Sequence, residues 1–333
     1  MLNSTTISAT LKFRLGAVIV CSDGKEGTVT SLGFDGTNRC SFALGIHIGR
    51  FFARTVYVSF AHVIDATSSP ITLDIASEQL LKASKEIPSG VWLDNRCVVV
   101  NTDASARGTL VMIAIHPGGK ELSYIVAHHL RLGQDTLLRG DVVTKIDANQ
   151  ITISLPAATL QTLPPYRTDE ELLVEVERAL FELTPLHIDF GGMTIRVVDG
   201  VLYLDGNISS SLRSDIVEDQ VLGIPGLLGV ENRLVGDDIL ASNVALTLGH
   251  DPHTHDLPIG VYPRLGVVRL SGAVRNKQQK DAAEEIAKSV PGVRRIENDL
   301  VVKPDRELLP VMTPAASGEA QDLVPGQYVR HTK

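Results

Sequence analysis

The amino-terminal half of the chain alternates short apolar runs with tight polar turns, which is the pattern of strands joined in hairpins. Asp23-Gly24 lies between two β-branched runs and is a strong signal for a hairpin, and Phe34–Asn38 has the composition of a second turn. Ser77–Ser84 is predicted as one short helix. The predicted strands of this segment are 16–20, 27–32, 41–48, 55–60 and 71–75.

Residues 91–155 repeat this pattern at an offset near 80 residues. Pro117-Gly118-Gly119 is the predicted turn of this second segment, and Ile151–Leu155 is its last strand. Small domains bury a small fraction of their surface, so neither half has an ample core alone. We therefore expect the two halves, 11–85 and 90–156, to pack together.

The hydrophobic spacing changes after a proline-rich linker at 156–166. Leu172 and Val176 lie on one face of a predicted helix. Thr168 is a favourable N-cap for this helix, and Glu171 follows three residues later as in a capping box. The order predicted for this segment is helix, strand, strand, helix, strand.

One sequence pattern occurs twice in the carboxy-terminal half. PGLLGVENRLV at 225–235 returns as PGVRRIENDLVV at 291–302, an offset of 66 residues. At the same offset, Gly200–Ile208 aligns with Gly266–Val274 without a gap. Two distant blocks in one register indicate a duplicated module.

These patterns together predict an α+β protein. Two αββαβ modules, 168–236 and 237–303, follow the two β-rich modules. Residues 304–333 are rich in Pro, Ala, Ser and Gly and have no sustained periodicity, so they are predicted to form a flexible tail. Leu323–Val329 is a small apolar island within that tail.

The carboxy-terminal pair of modules resembles two BON domains. The resemblance is carried by a glycine that opens a strand, a second glycine that ends it, and a Pro-Gly-Val-x-x-Val-x-Asn-x-Leu ending. In the first copy Leu227 replaces the valine of this ending and Leu228-Gly229 fill its spacer, whereas the second copy has nearly the full pattern. The glycines and prolines concerned are Gly200, Gly206, Pro225, Gly226, Gly266, Gly272, Pro291 and Gly292.

The amino-terminal pair resembles PRC-barrel modules, which are small β-barrels. The residues that carry this resemblance are Gly16–Val20, the Asp23-Gly24-x-x-Gly27-x-Val29 turn, and Val58-x-Phe60-x-x-Val63. The second copy departs from the pattern, because Ala104–Gly108 stands where the Asp-Gly turn is expected. The resemblance implies two barrel-like modules at 11–85 and 90–156.

These resemblances imply binding functions. BON domains are associated with phospholipid surfaces and, in a potassium-binding relative, with ion sensing. PRC barrels are associated with docking onto larger assemblies and occur in a ribosome maturation factor. We expect a non-enzymatic binding or scaffold protein that acts at a membrane surface or within a protein assembly. A ribosome-associated maturation-type factor and a K⁺- or metal-sensing protein are the alternatives.

Net charge is −8, and it is distributed unevenly. Residues 166–236 hold 13 acidic and 5 basic residues, so the rest of the chain is near neutral. No basic arm is present, which argues against direct binding of nucleic acid through phosphate contacts. The contrast between an acidic and a locally basic module is compatible with protein partners, with self-association, or with binding of the basic module to anionic phospholipid.

Cys21, Cys40 and Cys97 cannot all pair and lack metal-binding spacing. They are expected to be thiols in a reducing compartment. The sequence shows no secretory signal and no transmembrane stretch of 18 apolar residues. The expected location is cytoplasmic, including the inner face of the membrane.

Three groups of side chains are candidates for binding. Imidazoles and carboxylates within seven residues could hold Zn, Cu or Ni, although an exposed loop with no functional metal is the favoured interpretation. The residues of this metal hypothesis are His250, Asp251, His253, His255 and Asp256. The predicted basic docking surface is Lys277, Lys280, Lys288, Arg294 and Arg295. The predicted acidic docking surface is Asp169, Glu170, Glu171 and Glu175.

Motifs of catalysis and of nucleotide binding are absent from the sequence. There is no nucleophile elbow, no P-loop and no G-x-G-x-x-G pattern. We therefore predict no catalytic residue, no enzymatic activity and no cofactor. The eight glycines and prolines of the repeated pattern are assigned structural roles in turns.

Overall fold

The computed structural model describes residues 9–35, 40–48, 54–67, 69–83, 88–118, 121–183, 186–187 and 189–304. The predicted turns at Phe34–Asn38 and Pro117-Gly118-Gly119 lie partly outside these residues. The predicted tail after Pro304, with its apolar island Leu323–Val329, also lies outside them.

Within the described residues, the first half of the chain forms two seven-stranded sheets and two short helices. Their elements are β1 (Leu11–Arg14), β2 (Val18–Val20), β3 (Glu26–Phe34), β4 (Ser41–Ile48), β5 (Arg54–Ser59), β6 (Val63–Asp65), β7 (Ile71–Leu73), α1 (Ser77–Ala83), β8 (Val91–Asp94), β9 (Val98–Asn101), β10 (Arg107–Ile115), β11 (Leu122–Arg131), β12 (Gln134–Arg139), β13 (Val143–Asp147), β14 (Gln150–Ile153) and α2 (Ala157–Thr162). The hairpin predicted at Asp23-Gly24 is present, because β2 and β3 pair antiparallel on either side of it.

The two sheets have the same strand order, and the first strand of each segment joins the sheet of the other segment. The first sheet runs β5-β4-β3-β2-β7-β6, and the second runs β12-β11-β10-β9-β14-β13. Strand β1 pairs with β10 of the second sheet, whereas β8 pairs with β3 of the first. The segment 11–85 therefore does not correspond to one sheet. Local pattern predicts a strand but cannot select its partner when two similar sheets offer equivalent edges.

Side chains from both sheets share one hydrophobic core, as expected from their small size. Phe13 of β1 is fully buried, and its ring centroid lies 5.1 Å from that of Phe60 in an edge-to-face arrangement. Leu93 of β8 and Ile113 of β10 belong to the same cluster. The exchanged strands therefore contribute to a core that neither half could complete alone.

The third module (168–236) and the fourth module (237–303) each have the predicted αββαβ order. Their elements are α3 (Asp169–Phe181), β15 (Met193–Val198), β16 (Val201–Ile208), α4 (Ser211–Val221), β17 (Gly229–Gly236), α5 (Asp237–His250), β18 (Ile259–Arg264), β19 (Val267–Val274), α6 (Lys277–Ser289) and β20 (Arg295–Val302). The predicted capping box is confirmed: the Thr168 hydroxyl accepts from the Glu171 N–H, and the Glu171 carboxylate accepts from the Thr168 N–H.

The first residue of each module's first helix caps a hairpin turn. The Asp169 carboxylate accepts from the N–H groups of Asp199 and Gly200, at 3.1 and 2.8 Å. In the fourth module the Asp237 carboxylate accepts at 2.8 Å from the N–H of Leu265, the residue that precedes Gly266. These turn residues have positive φ, so the carboxylate satisfies backbone donors that no strand can pair.

Asn232 and Asn298 occupy equivalent positions in the repeated ending, and their side-chain amides contact the second helix of their modules. The Asn232 amide donates to the Glu218 carboxylate of α4 at 2.9 Å. The Asn298 amide donates to the Glu284 carboxylate of α6 at 3.0 Å. Each asparagine thus ties the last strand of its module to the second helix.

The chain divides into two compact units, Met1–Gly206 with Leu212–Leu234 and Asn207–Ser211 with Val235–Lys333. The first contains the shared core of the two sheets. The second has its own core, in which Leu240 and Val244 of α5 join Val268 and Leu270 of β19.

Candidate functional site

The sheet of the fourth module has one face under helices and one open face. Val268 and Leu270 of β19 are fully buried in the helix-covered core. Side chains alternate between the two faces of a strand, so Val267 and Arg269 point to the other side. Arg269 is exposed there.

Three arginines from three strands meet at one end of this open face. Arg264 of β18 is opposite Val267, which is opposite Arg295 of β20. In the next row Arg269 is opposite Tyr262, and its guanidinium lies 5.5 Å from the centroid of that ring. We name Arg264, Arg269, Arg295 and Tyr262 the arginine face.

The arginine face carries net positive charge, although one carboxylate, Glu297 of β20, is opposite Arg269. Arg295 forms an ion pair with Glu297. Arg264 and Arg269 form no ion pair with any residue that the structure describes. Two exposed guanidinium groups therefore face solvent beside Tyr262, which is 54% exposed. Guanidinium groups are well suited to phosphate and carboxylate oxygens, because their planar donors form paired hydrogen bonds.

On the corresponding face of the third module, the arginines form ion pairs with carboxylates of the same module. Arg196 pairs with Asp205 at 2.6 Å, and Arg233 pairs with Glu231 at 3.7 Å. Arg233 also lies 5.6 Å from the ring centroid of Tyr203. The two modules share a fold order but differ in the charge that their open sheet faces present.

The structure divides the predicted basic docking surface. Arg295 belongs to the open face, whereas Lys277, Lys280 and Lys288 lie on or beside α6, which covers the other face. Lys280 donates to the Leu300 carbonyl at 2.8 Å. Arg294 precedes β20, and its backbone N–H donates to the Gly266 carbonyl. A linear sequence cannot show this division, because α6 and β20 are adjacent in sequence yet expose opposite sides.

Sequence reasoning missed Arg264 and Arg269. These residues belong to the two strands of a hairpin, and only the register brings them to one end of the sheet. The available signal was the alternation of β19, in which Val268 and Leu270 flank Arg269. That alternation indicates an outward arginine but not its neighbours.

Asp169, predicted as part of an acidic docking surface, points into an ionic cluster instead. The Lys12 ammonium of β1 forms ion pairs with Asp169 and, at 3.3 Å, with Asp199. The Thr10 hydroxyl donates to Asp199 at 2.6 Å, and the Tyr124 hydroxyl donates to it at 3.1 Å. This ionic cluster, Lys12 with Asp169 and Asp199, joins the second sheet to the third module.

Burial and charge shift the pKa values in the ionic cluster. Burial lowers the pKa of Lys12, but the hydrogen bond and negative charge of Asp169 outweigh it, so that pKa is raised. Burial raises the pKa of Asp199, but hydrogen bonds from Thr10 and the charge of Lys12 outweigh it, so that pKa is lowered. Burial raises the pKa of nearby Tyr166 to about 12. All three groups keep their usual neutral-pH protonation.

The other predicted acidic residues have different environments. Glu171 belongs to the capping box described above. Glu175 forms ion pairs with Arg178 and, at 3.6 Å, with Arg167. Glu170 is exposed in the first turn of α3. The four carboxylates therefore do not act as one free acidic surface.

The residues of the metal hypothesis lie at the end of α5 and in the loop that follows. Their imidazoles contact nearby groups: His250 bonds the Leu246 carbonyl at 2.6 Å, and His253 contacts Asp251 at 3.1 Å. His255 contacts Asp256 at 3.1 Å. Across the part of the chain that the structure describes, no three His, Cys, Asp or Glu side chains are grouped to hold a metal ion. The hypothesis remains a prediction, and calorimetry with His253→Ala and His255→Ala tests it.

The glycines of the repeated pattern have positive φ in both modules. Their φ values are +77° (Gly200), +112° (Gly206), +101° (Gly226), +81° (Gly266), +134° (Gly272) and +94° (Gly292). Pro225 and Pro291 each precede one of these glycines, in the turn before the last strand.

Replacing Gly266 with alanine is expected to destabilise the fourth module by about 1–2 kcal/mol, the cost of a side chain in the left-handed region. A Cβ at this position would also lie 2.4 Å from the Asn207 Oδ1 atom, which must then move. Gly249→Ala is the matched control, because it lies in α5, where a Cβ meets nothing within 4 Å. Thermal unfolding should show a lower melting temperature for Gly266→Ala and an unchanged melting temperature for Gly249→Ala. Equal stability of the two variants would contradict the structural role of Gly266.

Comparison with known proteins identifies one domain. Residues 236–304 match the family model of the BON domain. A curated relative, Osmotically-inducible protein Y of Escherichia coli (strain K12), is 26% identical over 151 residues, which are 41% of this chain and 74% of that protein. The descriptions of the matched family and of this relative name no enzymatic activity.

Two solved structures show weaker likeness. One is CdsD, a structural protein of the Type III secretion system of Chlamydia trachomatis, with 15% identity and a TM-score of 0.33, covering 40% of this chain and 61% of that chain. The other is the C-terminal domain of CdsD, with 11% identity and a TM-score of 0.22, covering 41% of this chain and 100% of that chain. These TM-scores support no conclusion about fold or function.

None of the helices in the described part of the chain combines the length and the apolar character that crossing a bilayer requires.

Proposed function

We propose that this protein is a non-enzymatic scaffold that binds an anionic phospholipid surface through the arginine face of its BON domain. The observation that carries the proposal is the cluster of Arg264, Arg269 and Arg295 on the open sheet face, with two of the three lacking an ion-pair partner among the described residues. Phosphate headgroups would supply the missing negative charge.

The shape of the arginine face favours an extended anionic surface, rather than a small soluble anion, as its binding partner. The arginines project from a sheet and are exposed, so they can approach an extended array of headgroups without entering a cleft. Tyr262 stands beside them with an apolar ring and a polar hydroxyl, a combination suited to the membrane interface. Each arginine near an anionic membrane contributes about 1 kcal/mol.

The remaining modules complete the proposed scaffold. We infer that the third module is a second BON domain, since it shares the helix–strand order, the capped hairpin turn and the asparagine contact of the fourth. We infer that the two exchanged sheets are tandem PRC-barrel-like modules that dock a protein partner. Two of the three cysteines are buried free thiols, which fits the proposed location in a reducing cytoplasm at the inner face of the membrane.

The Arg264→Ala/Arg269→Ala variant is expected to bind anionic vesicles at least about tenfold more weakly than the wild type, because it removes two arginine contacts. Co-sedimentation with phosphatidylglycerol and with phosphatidylcholine vesicles measures this loss. Wild-type binding should require the anionic lipid and should weaken as salt rises above about 0.1 M, since exposed charges are then screened.

Arg196→Ala/Arg233→Ala is the matched control, because it removes two arginines that Asp205 and Glu231 already neutralise. This control should bind like the wild type. Binding that is absent with anionic vesicles, or lost equally in both double variants, would contradict the proposal. Binding to phosphatidylcholine alone would also contradict it, because the arginine face would then have no role.

A further inference from the structure

The outer face of the first sheet has a groove floored by small side chains. Ser31 of β3 is opposite Gly45 of β4 on one side and Asp94 of β8 on the other. Two residues further along β3, Gly33 is opposite Trp92. A Cβ at Gly33 would lie within 2.9 Å of the rings of Phe42 and Trp92, so only glycine lets those rings lie against the sheet.

Aromatic rings form one wall of this groove. The ring centroid of Trp92 lies 4.6 Å from that of Tyr57 and 5.5 Å from that of Phe42. The Trp92 indole N–H donates to the Pro88 carbonyl at 3.0 Å, which fixes the orientation of the ring. Trp92 and Tyr57 both line the groove, whose volume is about 590 Å³. This volume is within the range that small-molecule sites occupy.

Apart from Leu15, Gly16 and Val29, the rest of the groove is lined by polar side chains of balanced charge. Thr28, Thr55 and Asn95 supply groups that both donate and accept hydrogen bonds, and Asp94 and Arg96 supply one charge of each sign. Thr30 also lines the groove, and its hydroxyl oxygen is buried without a hydrogen-bond partner among the described residues.

The equivalent face of the second sheet has a different character. There Met112, Ala114, Tyr124 and Val126 form a buried apolar cluster against which Tyr166 packs. The second sheet uses this face to bury apolar surface, whereas the first sheet presents an open groove of aromatic and hydroxyl groups. Packing within the described structure therefore does not explain the composition of the groove.

We propose that this groove binds a neutral sugar. A sugar ring has an apolar C–H face that stacks against aromatic rings, and its edge carries hydroxyls that both donate and accept. Trp92 and Tyr57 offer the aromatic wall, and the threonines with Asn95 offer the hydroxyl and amide partners. The balanced charge of Asp94 and Arg96 favours a neutral ligand over an anion or a cation.

Intrinsic fluorescence provides a direct test, because Trp92 is the single tryptophan of the chain. The full chain is titrated with glucose, galactose, mannose, N-acetylglucosamine, maltose and cellobiose while the Trp92 emission is followed. At least one sugar should produce a saturable change, with matching heat in isothermal calorimetry. Absence of a saturable signal for every sugar of this panel would overturn the proposal.

The Thr28→Val/Thr55→Val variant removes two hydroxyls from the groove while preserving side-chain shape. Both threonines are exposed, so this variant should fold like the wild type and bind the sugar about tenfold more weakly, the loss expected for two hydrogen bonds. Thr109→Val is the matched control, because Thr109 occupies the same position in β10 as Thr28 does in β3. Undiminished binding by the double variant, or equal loss in the control, would show that the signal arises elsewhere.

Discussion

Replacing Lys12 with methionine is expected to lower the free energy of unfolding of the first unit by about 3–5 kcal/mol, because it leaves two carboxylates in a partly buried site without their cation. The side chains of Lys12, Asp169 and Asp199 are only 16%, 18% and 20% exposed. Urea unfolding followed by Trp92 fluorescence measures the loss.

Lys145→Met is the matched control for this experiment. Lys145 pairs with Asp147 at 2.8 Å, but its side chain is 69% exposed. Exposed ion pairs contribute about 0–1 kcal/mol, so this variant should be nearly as stable as the wild type. Adding Asp169→Asn and Asp199→Asn to Lys12→Met should restore part of the lost stability. A Lys12→Met variant as stable as the Lys145→Met control would contradict the role of the ionic cluster.

The contribution of the ionic cluster should depend on pH in a defined way. The pKa of Asp199 is lowered below its ordinary value of 3.8, so its contribution is present above that pH and is lost as pH falls through the folded value. The pKa of Lys12 is raised above 10.5, so its contribution is present below that pH and is lost as pH rises through the folded value. The stability difference between wild type and Lys12→Met should therefore be constant near neutral pH and shrink at both extremes.

Replacing Phe13 with alanine is expected to cost about 3–5 kcal/mol, the usual range for a buried phenylalanine in a core. Phe13 is fully buried, its strand pairs with the second sheet, and its ring contacts Phe60, which follows β5 of the first sheet. Because the exchanged strands share one core, protection of backbone amides from hydrogen exchange should fall equally in both sheets. Hydrogen exchange followed by mass spectrometry resolves peptides of each sheet and measures this.

Val18→Ala serves as the control for Phe13→Ala. Val18 lies on β2, the next strand along the chain, and is 39% exposed, so its truncation should change stability by less than about 1 kcal/mol. Loss of protection confined to one sheet in Phe13→Ala would show that the two sheets unfold independently. That result would contradict the exchange of strands.

Local sequence patterns predicted many of the elements. The capping box at Thr168, the hairpin at Asp23-Gly24 and the αββαβ order of two modules depend on residues close together in the chain. Their physical causes are local: an orphan N–H that a side chain satisfies, a turn that needs positive φ, and an apolar face at helical spacing. Such causes act within a few residues and can be inferred without a tertiary structure.

The candidate sites were less predictable. The sequence predicts that Arg295 belongs to a basic docking surface, but it does not indicate the neighbours of Arg295 on the arginine face, since they come from two other strands. The acidic first turn of α3 predicts that Asp169 lies on a surface, yet Asp169 pairs with Lys12, which is far away in sequence. The groove beside Trp92 requires β8 to join a sheet formed by an earlier part of the chain.

The sequence by itself determined the element types, the pattern repeated in the carboxy-terminal half and the acidic charge of residues 166–236, because hydrophobic period, turn residues and composition are properties of neighbouring residues. Only the tertiary structure decided which sheet each first strand joins, which arginines share a face, and which carboxylate is buried beside Lys12. Those outcomes depend on long-range pairing. Register and burial determine which distant side chains meet, and similar sheets offer equivalent edges that local pattern cannot distinguish.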